Sequence, residues 1–316
     1  MPSPLFTVVV TTYNRGRIAC RCIDSCLDQV FAEFELIVVD DGSEDDTVEL
    51  VGRYDDPRLQ IVTLAHNQGI NSARQRGVEA ASGDWVVMVD SDWELVPTTL
   101  QRLAEIISGL PPGVRVVRHR LLWDDGTVTP SFVPEEPFGY QGRLCWIEAE
   151  GGHDAGRCIK REVFERTPYV DGRRGAMETL FELELARNEM TLAVPDVLGK
   201  EHADAANSWL RSTDPDELIP RLFSEAPDML WMAETTLAAH GAALRDHAPS
   251  HFRRILRVAA TQSFLLGRRR QGSRYALRAL RQKPLDPLVL GTLFLGALGR
   301  TAMARGILAF RRFGSK

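Results

Sequence analysis

The segment FELIVVDDGSEDDT, residues 34–47, indicates most directly how this chain folds. Five of its first six residues are apolar, and a run of aspartates and small polar residues follows at once. Unbroken apolar runs of this length are typical of strands that are buried on both faces of a parallel sheet. FTVVVTTYNR (6–15) and DWVVMVDSD (84–92) repeat the arrangement. The sequence therefore predicts parallel strands that each end in a polar segment.

Segments with helical spacing separate these apolar runs, so strands and helices alternate over the first 95 residues. This order predicts an open α/β sheet with right-handed crossovers. The predicted strands are 5–12, 34–40, 59–64 and 84–90, and the predicted helices are 16–29, 45–54 and 70–81.

The pattern changes after residue 92. Further predicted elements are a helix (97–107), a hairpin (114–123 and 127–133) around Asp124-Asp125-Gly126, a helix (177–188) and a strand (191–197). From about residue 211 we predict helices only, broken at Pro215, Pro220, Pro227, Pro249, Pro284 and Pro287. The predicted organisation is an α/β domain over 1–210, with halves 1–95 and 96–210, and a helical region over 211–316.

Composition excludes several protein classes. A chain of 316 residues with 44% hydrophobic and 26% charged residues is neither collagen-like nor disordered nor a disulfide scaffold. Five cysteines without framework spacing indicate reduced core thiols. We see no secretory signal, and the longest apolar-rich run, 288–298, is shorter than the roughly 20 residues of a membrane span. We expect a cytoplasmic protein.

The net charge of −5 conceals an asymmetry. Residues 251–316 hold 15 of the 38 basic residues and one of the 43 acids, Asp286. A basic segment beside an acidic body favours a partner of opposite charge. Two alternatives stay open: docking on an anionic membrane at its inner face, or packing against the acidic body within one chain or a homodimer. A nucleic-acid partner is not expected, because no binding motif accompanies the charge.

Polar residues at the ends of the predicted strands form a candidate site. Ligands of an open parallel sheet bind at the carboxyl ends of its strands. There the sequence gathers Asp40, Asp41, Asp90 and Asp92, with Arg74 on the following helix. Four carboxylates at one edge repel each other unless a cation compensates them. Oxygen ligands suit Mg²⁺ or Mn²⁺, which would bridge a diphosphate.

Three segments carry a resemblance to a known family: VVVTTYNR, LIVVDDGSEDDT and NQGINSARQRGVEAASGDWVVMVDSDWEL. Together they resemble the GT-A fold glycosyltransferases of the family 2 type, over roughly residues 5–205. The resemblance implies a Rossmann-like, mostly parallel sheet flanked by helices, with the helical region as an extension. It implies transfer of a sugar from a nucleotide-diphosphate sugar to an acceptor hydroxyl, usually with inversion, although a retaining outcome stays open.

The resemblance also assigns site residues. The base is expected at Thr11, Thr12, Tyr13 and Asp40, the ribose near Asp41 and Asp90, the diphosphate near Arg74, and the metal, Mn²⁺ or Mg²⁺, on Asp92. Asp90-Ser91-Asp92 stands at the family's DXD motif, and Ser91 is counted with the donor site. His202 is a second candidate metal ligand. Trp93 occupies a position where the family often has another acid, which places an aromatic ring near the sugar. UDP or dTDP is the favoured nucleotide.

The catalytic base of the family usually belongs to a Glu-Asp pair at the start of a later helix. The matching segment, GAMETLFELELARN (175–188), has Met177 and Glu178 there. Glu178 is therefore the expected base, and Glu182, Asp154 and His153 are the alternatives. The acceptor, which is a glycan, a lipid-linked sugar or a small molecule, is not indicated.

Three other classes compete with a glycosyltransferase. A sugar-phosphate nucleotidyltransferase needs a glycine-rich basic loop after the first strand, and TTYNRGR is not one. A dinucleotide dehydrogenase needs GxGxxG there, which is absent. A non-catalytic nucleotide-sugar-binding relative stays open, because Met177 interrupts the acidic pair.

Overall fold

The computed structural model describes residues 3–150, 155–174, 178–204 and 214–314. The chain divides into two compact units. The first comprises 1–146, 152–173 and 181–205, and the second comprises 147–151, 174–180 and 206–316. The first unit is built on a nine-stranded sheet with helices packed on it, and the described part of the second unit is helical.

The elements up to residue 205 alternate as predicted at first and then become irregular. The strands are β1 (Phe6–Thr12), β2 (Phe34–Asp40), β3 (Leu59–Thr63), β4 (Trp85–Asp90), β5 (Trp93–Leu95), β6 (Val114–Trp123), β7 (Val128–Thr129), β8 (Gly156–Lys160) and β9 (Met190–Glu201). The helices are α1 (Gly16–Leu27), α2 (Thr47–Val51), α3 (Ile70–Ala80), α4 (Thr99–Ser108), α5 (Tyr140–Glu150), α6 (Val163–Arg166) and α7 (Glu178–Asn188).

The sheet is mixed. Its order is β3-β2-β1-β4-β8-β6-β9-β5, with β7 paired to β6. The first four strands are parallel, which confirms the prediction for this half. Strand β8 then runs antiparallel between β4 and β6, while β6 and β9 are parallel. The sequence patterns did not predict α5, β5, α6 or β8, and the predicted hairpin of β6 and β7 is confirmed.

The central strands are buried on both faces. Val8 and Val10 of β1 lie in one apolar cluster with residues of α1 and α4. Val9, between them, lies in a second cluster on the other face, with Met88 of β4 and Phe181 of α7. Opposite faces of one strand therefore have separate cores, which explains why its sequence shows a continuous apolar run.

The five cysteines are free. Cys22, Cys26 and Cys158 are buried, as predicted for core thiols, whereas Cys145 is exposed and Cys20 is half-buried. Burial raises the pKa of the Cys158 thiol well above its usual range, which keeps this thiol protonated and unreactive.

The described helices of the second unit beyond residue 213 are α8 (Pro215–His247), α9 (Pro249–Leu265), α10 (Arg269–Gln282), α11 (Pro287–Leu298) and α12 (Arg300–Gly314). Pro215, Pro249 and Pro287 each occupy the first helical turn, where the missing N–H costs no hydrogen bond. None of the helices in the described residues is long and apolar enough to cross a membrane.

Pro220 and Pro227 lie inside α8, so the predicted breaks at these two residues are wrong. Both rings are exposed, where carbonyl groups that lose a helical partner can bond to water. The opposite side of α8 is anchored in the core, with Leu230 and Ala233 packed against Ile255 and Ala259 of α9. Other buried residues of α8 flank each proline, Leu218 and Leu222 around Pro220 and Ala226 and Met229 around Pro227, so the helix is anchored on both sides of each.

A buried ionic cluster joins α7 to the sheet of the first unit. The Glu182 carboxylate accepts from Arg118 of β6, from Arg157 of β8 at 2.6 Å and from Arg143 of α5 at 3.3 Å. Arg118 and Arg157 are register partners on neighbouring strands. All four side chains are largely buried, Glu182 to about 10% exposure. The Glu182 carboxylate thus contacts three guanidinium groups away from water.

We expect Glu182→Gln to lower the free energy of unfolding by about 3–5 kcal/mol, because removing one partner leaves buried charge uncompensated. Urea denaturation followed by circular dichroism measures the change. Glu184→Gln is the matched control on the same helix. Glu184 is one-third exposed, and it forms an ion pair with Arg187, one turn later, at 3.4 Å. Equal losses in the two variants would contradict a structural role of the cluster.

Candidate active site

The carboxyl ends of three parallel strands bring the predicted acids together. In the sheet register Thr12 of β1 lies beside Asp40 of β2, and Thr11 lies beside Asp90 of β4. Thr11, Thr12 and Asp40 are buried, while the side chain of Asp90 is 26% exposed. This edge of the sheet is therefore a polar surface set directly on an apolar core.

Asp40 is held in the turn that follows β2. Its carboxylate accepts from the Ser43 backbone N–H at 3.1 Å and from the Ser43 hydroxyl. The same hydroxyl accepts from the Asn14 N–H at 2.8 Å, and the Asn14 side-chain oxygen accepts from the Glu44 N–H at 2.8 Å. These bonds tie the loop after β1 to the loop after β2, and they fix the orientation of the Asp40 carboxylate.

Asp41 binds the backbone directly before α3. Its two carboxylate oxygens accept from the backbone N–H groups of Gln68 at 2.7 Å and Gly69 at 2.9 Å. Gly42 next to it has a φ of +69°, and a Cβ there would lie 2.5 Å from the His66 carbonyl carbon. Only glycine allows the turn after β2 to approach this loop so closely. The contact of Asp41 with the base and ribose stays a prediction, and its structural role is to position α3.

Arg74 of α3 lies directly on Asp90. Its Nη2 is 2.7 Å from Asp90 Oδ1, and its side chain is 2% exposed. The guanidinium group also lies 5.9 Å from the centre of the Tyr169 ring, within cation–π range. Arg74 is thus a buried cation that forms an ion pair with Asp90 at the polar edge of the sheet.

Arg15 contacts Ser91 and Asp92, the last two residues of the Asp90-Ser91-Asp92 segment. Arg15 was not predicted as a site residue from the sequence. Its Nη1 lies 3.2 Å from the Ser91 hydroxyl and 3.2 Å from Asp92 Oδ2. Arg15 directly precedes α1. The available signal was a cation immediately after the polar end of β1, opposite the predicted acids.

His202 is joined to Asp92 through the backbone. The His202 N–H donates to the Asp92 carbonyl at 3.0 Å, which extends the pairing of β9 with β5. Its ring nitrogens face two carboxylates, Glu94 Oε1 at 2.8 Å from Nε2 and Asp124 Oδ1 at 2.9 Å from Nδ1. The backbone bond brings His202 next to Asp92, and its role as a metal ligand stays a prediction. The ring would have to leave these two carboxylates before it could bind a metal.

The carboxylates around His202 have basic partners of their own. Arg21 lies 3.1 Å from Glu94 and 2.6 Å from Asp204. Hydrogen bonding from Arg21 lowers the pKa of Asp204. The Ala203 N–H, followed by Lys200 and His202, lowers the pKa of Asp124 to about 2. These acids are ionised at neutral pH and form a charged network beside the site.

The residues present fit a divalent cation that is shared with a phosphate ligand. No group of three or more His, Cys, Asp or Glu side chains in the described ranges is arranged to hold a metal ion by itself. Mg²⁺ sites of phosphate-binding enzymes, however, usually combine one or two carboxylates with substrate oxygens and water. Asp92, 14% exposed at the edge of the sheet, meets this requirement.

The aromatic residues contribute less than predicted. Trp93 is 3% exposed and packs in the core with residues of β1 and α1. The expectation that its ring lies near a sugar is therefore wrong, because its side chain points into the apolar layer. Tyr13 is half-buried at the end of β1.

Glu178 is the first residue of α7 and is half-buried. An acid in the first turn of a helix is stabilised there by the helix dipole. Met177, His153 and Asp154 lie outside the described residues. Glu182, an alternative base, has its carboxylate occupied by the three arginines of the buried cluster, and hydrogen bonds from cations make a carboxylate a poorer base.

Comparisons with known proteins agree with this geometry. The model of the family described as glycosyl transferase family 2 matches residues 7–167, just over half of the chain. A succinoglycan biosynthesis protein, ExoO, of Rhizobium meliloti is 40% identical over 102 residues, which are 32% of this chain and 29% of that protein. A PGL/p-HBAD biosynthesis glycosyltransferase of Mycobacterium bovis is 33% identical over 116 residues, 35% of this chain and 45% of that protein. This chain thus spans less than half the length of either relative.

Solved structures share the fold over nearly the whole chain. TarS of S. aureus, solved with UDP-GlcNAc, has a TM-score of 0.61 and 19% identity, over 98% of this chain and 92% of that one. The mannosyltransferase PcManGT of Pyrobaculum calidifontis, solved with GDP-Man and Mn²⁺, has a TM-score of 0.53 and 18% identity, over 99% and 88%. These likenesses confirm the expected GT-A fold with its helical C-terminal region. The family match over residues 7–167 shows that the chain belongs to glycosyl transferase family 2.

Proposed function

We propose that this protein is a metal-dependent glycosyltransferase that moves a sugar from a nucleotide-diphosphate sugar to an acceptor hydroxyl with inversion. The observation that carries the proposal is the edge formed by β1, β2 and β4. There Asp40 and Asp90 lie on either side of Thr11 and Thr12 of β1, Asp92 follows Asp90 in the chain, and Arg15 and Arg74 supply positive charge. Membership of family 2 supports the same reaction class.

We propose that the nucleoside binds at the part of this edge that the ends of β1 and β2 form. Asp40 is buried and firmly oriented, so its carboxylate can accept a hydrogen bond from a base N–H. Thr11, Thr12 and Tyr13 form the adjacent wall at the end of β1. We propose UDP or dTDP as the carrier, and the UDP-GlcNAc and UDP complexes of TarS support a uridine nucleotide.

We propose that the diphosphate binds at the part of the edge that follows β4, beside Ser91 and Asp92. Arg15 already lies within 3.2 Å of both residues, and guanidinium groups form strong charge-assisted hydrogen bonds with phosphate. We propose that Arg15 turns from Asp92 to the diphosphate when the donor binds. Asp90 holds the ribose in this proposal, and Arg74, which its ion pair with Asp90 positions in advance, adds positive charge near the diphosphate.

We propose that Asp92 holds Mn²⁺ or Mg²⁺ together with the diphosphate, and that His202 assists after leaving Glu94 and Asp124. When bound, the cation neutralises negative charge that develops on the leaving diphosphate. The Mn²⁺ complex of PcManGT supports a divalent cation in this fold. Glu94 and Asp124 keep the His202 ring beside Asp92 before the donor arrives.

We propose Glu178 as the base that removes the proton from the acceptor hydroxyl as its oxygen attacks the anomeric carbon. The proton passes to a Glu178 carboxylate oxygen, the new C–O bond forms, and the bond to the diphosphate oxygen breaks on the opposite side of the sugar. Inversion of the anomeric carbon follows from this single displacement. Because the Glu182 carboxylate is occupied by three arginines, Glu178 is the better candidate for the base on α7.

A second candidate function is nucleotide-sugar binding without transfer. The observation that favours it is Met177, which replaces the first acid of the usual pair. Hydrolysis of the donor in the absence of an acceptor distinguishes the two, because a binding protein would leave the donor intact. The acceptor class, which is a glycan, a lipid-linked sugar or a small molecule, stays open.

Asp92→Ala should abolish both transfer and the metal dependence of donor binding. Calorimetric titration of UDP and dTDP, each with Mn²⁺ and with EDTA, measures the second effect. Glu44→Ala is the control, because Glu44 is an exposed acid on the neighbouring loop whose contact is made by its backbone. Binding that remains metal-dependent in Asp92→Ala would show that the metal is held elsewhere.

Asp40→Ala should weaken nucleotide binding by about 10- to 100-fold, the range expected for a lost hydrogen bond to a charged group. Ser43→Ala removes the turn contact but keeps the Asp40 carboxylate, and we expect a much smaller effect. Calorimetric affinities of the two variants for the same nucleotide give the comparison. Equal losses would mean that Asp40 acts only by shaping the turn.

Glu178→Gln should bind the donor normally but lose transfer by about 10²–10⁴-fold, because glutamine keeps the shape and loses the basicity. Glu184→Gln, on the same helix, should keep its activity. Donor affinity by calorimetry and turnover with an identified acceptor are measured for both. A near-normal kcat in Glu178→Gln would direct the search for the base to Asp154 or His153.

A further inference from the structure

The helical second unit leaves large apolar side chains in contact with solvent. On α10, Leu277 is 54% exposed, and in the turn to α11 Leu285 is 82% exposed. On α11, Phe294 and Leu298 are 66% and 61% exposed. Single exposed apolar residues are common, but a group of this size on consecutive helices indicates a binding surface. Helices α10 and α11 pack against each other, so their exposed residues belong to one region.

Helix α11 is apolar on both sides. Val289, Thr292 and Gly296 face the core, and a Cβ at Gly296 would lie 2.5 Å from the Phe264 ring of α9. Leu290, Phe294 and Leu298 follow each other at intervals of four residues, which puts them on one outward side of the helix. A helix that is apolar all round is normally covered on all sides. The outward side of α11 therefore requires a partner.

Basic side chains surround these apolar residues. Arg274, Arg278 and Arg281 lie with Leu277 on the exposed side of α10, and Lys283 follows in the turn. None of these four makes an ion pair with any residue in the described ranges. The acid of this region, Asp286, caps α11 by accepting from the Leu288 and Val289 N–H groups. In the described part of the chain, the surface thus combines apolar groups with four cationic groups that form no ion pair, and Asp286 is the acid that lies beside them.

These features distinguish between the partners that could cover the surface. A second copy in a symmetric dimer would bring the same arginines against each other, because a two-fold interface pairs each patch with itself. An anionic lipid bilayer satisfies both parts at once. Lipid phosphates attract the arginines, and the acyl chains accept the leucine and phenylalanine side chains.

We propose that this basic apolar surface binds anionic phospholipid membranes peripherally. It consists of Arg274, Leu277, Arg278, Arg281, Lys283, Leu285, Leu290, Phe294 and Leu298. The helices lie parallel to the membrane plane, with the apolar residues at the boundary of headgroups and acyl chains and the basic residues among the phosphates. The glycosyltransferase would then act at a membrane surface, but the binding itself does not depend on the proposed reaction.

The test is flotation of the full chain with vesicles, without donor or acceptor. We expect flotation with equimolar phosphatidylglycerol and phosphatidylcholine at 50 mM salt, much less at 0.5 M salt, and none with phosphatidylcholine alone. An arginine near a charged bilayer changes binding by about fivefold, so Arg274→Gln, Arg278→Gln and Arg281→Gln combined should reduce it by about 100-fold. Phe294→Ser with Leu298→Ser should reduce it by at least about tenfold at either salt concentration.

The control has the same loss of charge elsewhere, through Arg53→Gln, Arg76→Gln and Arg102→Gln combined. These three side chains belong to the first unit, with exposures of 64%, 36% and 44%, and their replacement should leave flotation unchanged. Equal flotation of the two triple variants, or flotation with phosphatidylcholine alone, would overturn the proposal. So would a dimer in light scattering that Phe294→Ser with Leu298→Ser dissociates, together with no flotation, because a second copy would then cover the surface.

Discussion

Mutual repulsion of carboxylates at one edge of the sheet is the constraint on which the rest of the site depends. Parallel pairing of β1, β2 and β4 brings Asp40, Asp41, Asp90 and Asp92 to the carboxyl ends of neighbouring strands, at the same edge of the sheet. Each acid has a different compensating group. Asp40 and Asp41 bind backbone N–H groups of neighbouring turns, and Asp90 and Asp92 bind arginines. The loops and the first turn of α3 are therefore arranged around these charges.

The strengths of these arrangements suggest a division of roles. Asp41 and Arg74 are buried, and both have short contacts, Asp41 with the Gln68 and Gly69 N–H groups and Arg74 with Asp90, so they preserve the shape of the edge. Arg15 is shared between Ser91 and Asp92 at 3.2 Å to each, and a ligand can displace it at a lower cost. The segment after β4 is thus the part of the edge that can exchange the Arg15–Asp92 ion pair for contacts to a diphosphate and a cation.

The sequence predicted the part of the fold that depends on local pattern. Strands β1 to β4 and helices α1 and α3 lie within about two residues of their predicted ends, because continuous apolar runs and helical spacing identify buried strands and amphipathic helices. Strand β8 was missed because GRCIK is short and half polar, and its pairing with β4 and β6 depends on distant residues. Its Arg157 is paired with Glu182, a contact that no local pattern predicts.

The same limit applies to the site. The four aspartates and Arg74 were predictable, since strand ends share one edge of a parallel sheet. The position of Arg15 depends on how the loop after β1 folds back towards Asp92, and the burial of Trp93 depends on which side of β5 faces the core. The two carboxylates beside the His202 ring come from β5 and from the turn after β6, which are far apart in the sequence.

In the proposed function, the edge formed by β1, β2 and β4 holds the diphosphate of a nucleotide donor. The most direct measurement is a crystal structure of the protein with UDP or dTDP and Mn²⁺, with an anomalous map for the metal. We expect the base against Asp40, the diphosphate beside Arg15, and the manganese peak within bonding distance of Asp92. A nucleotide bound away from this edge, or a manganese peak without contact to Asp92, would contradict the claim.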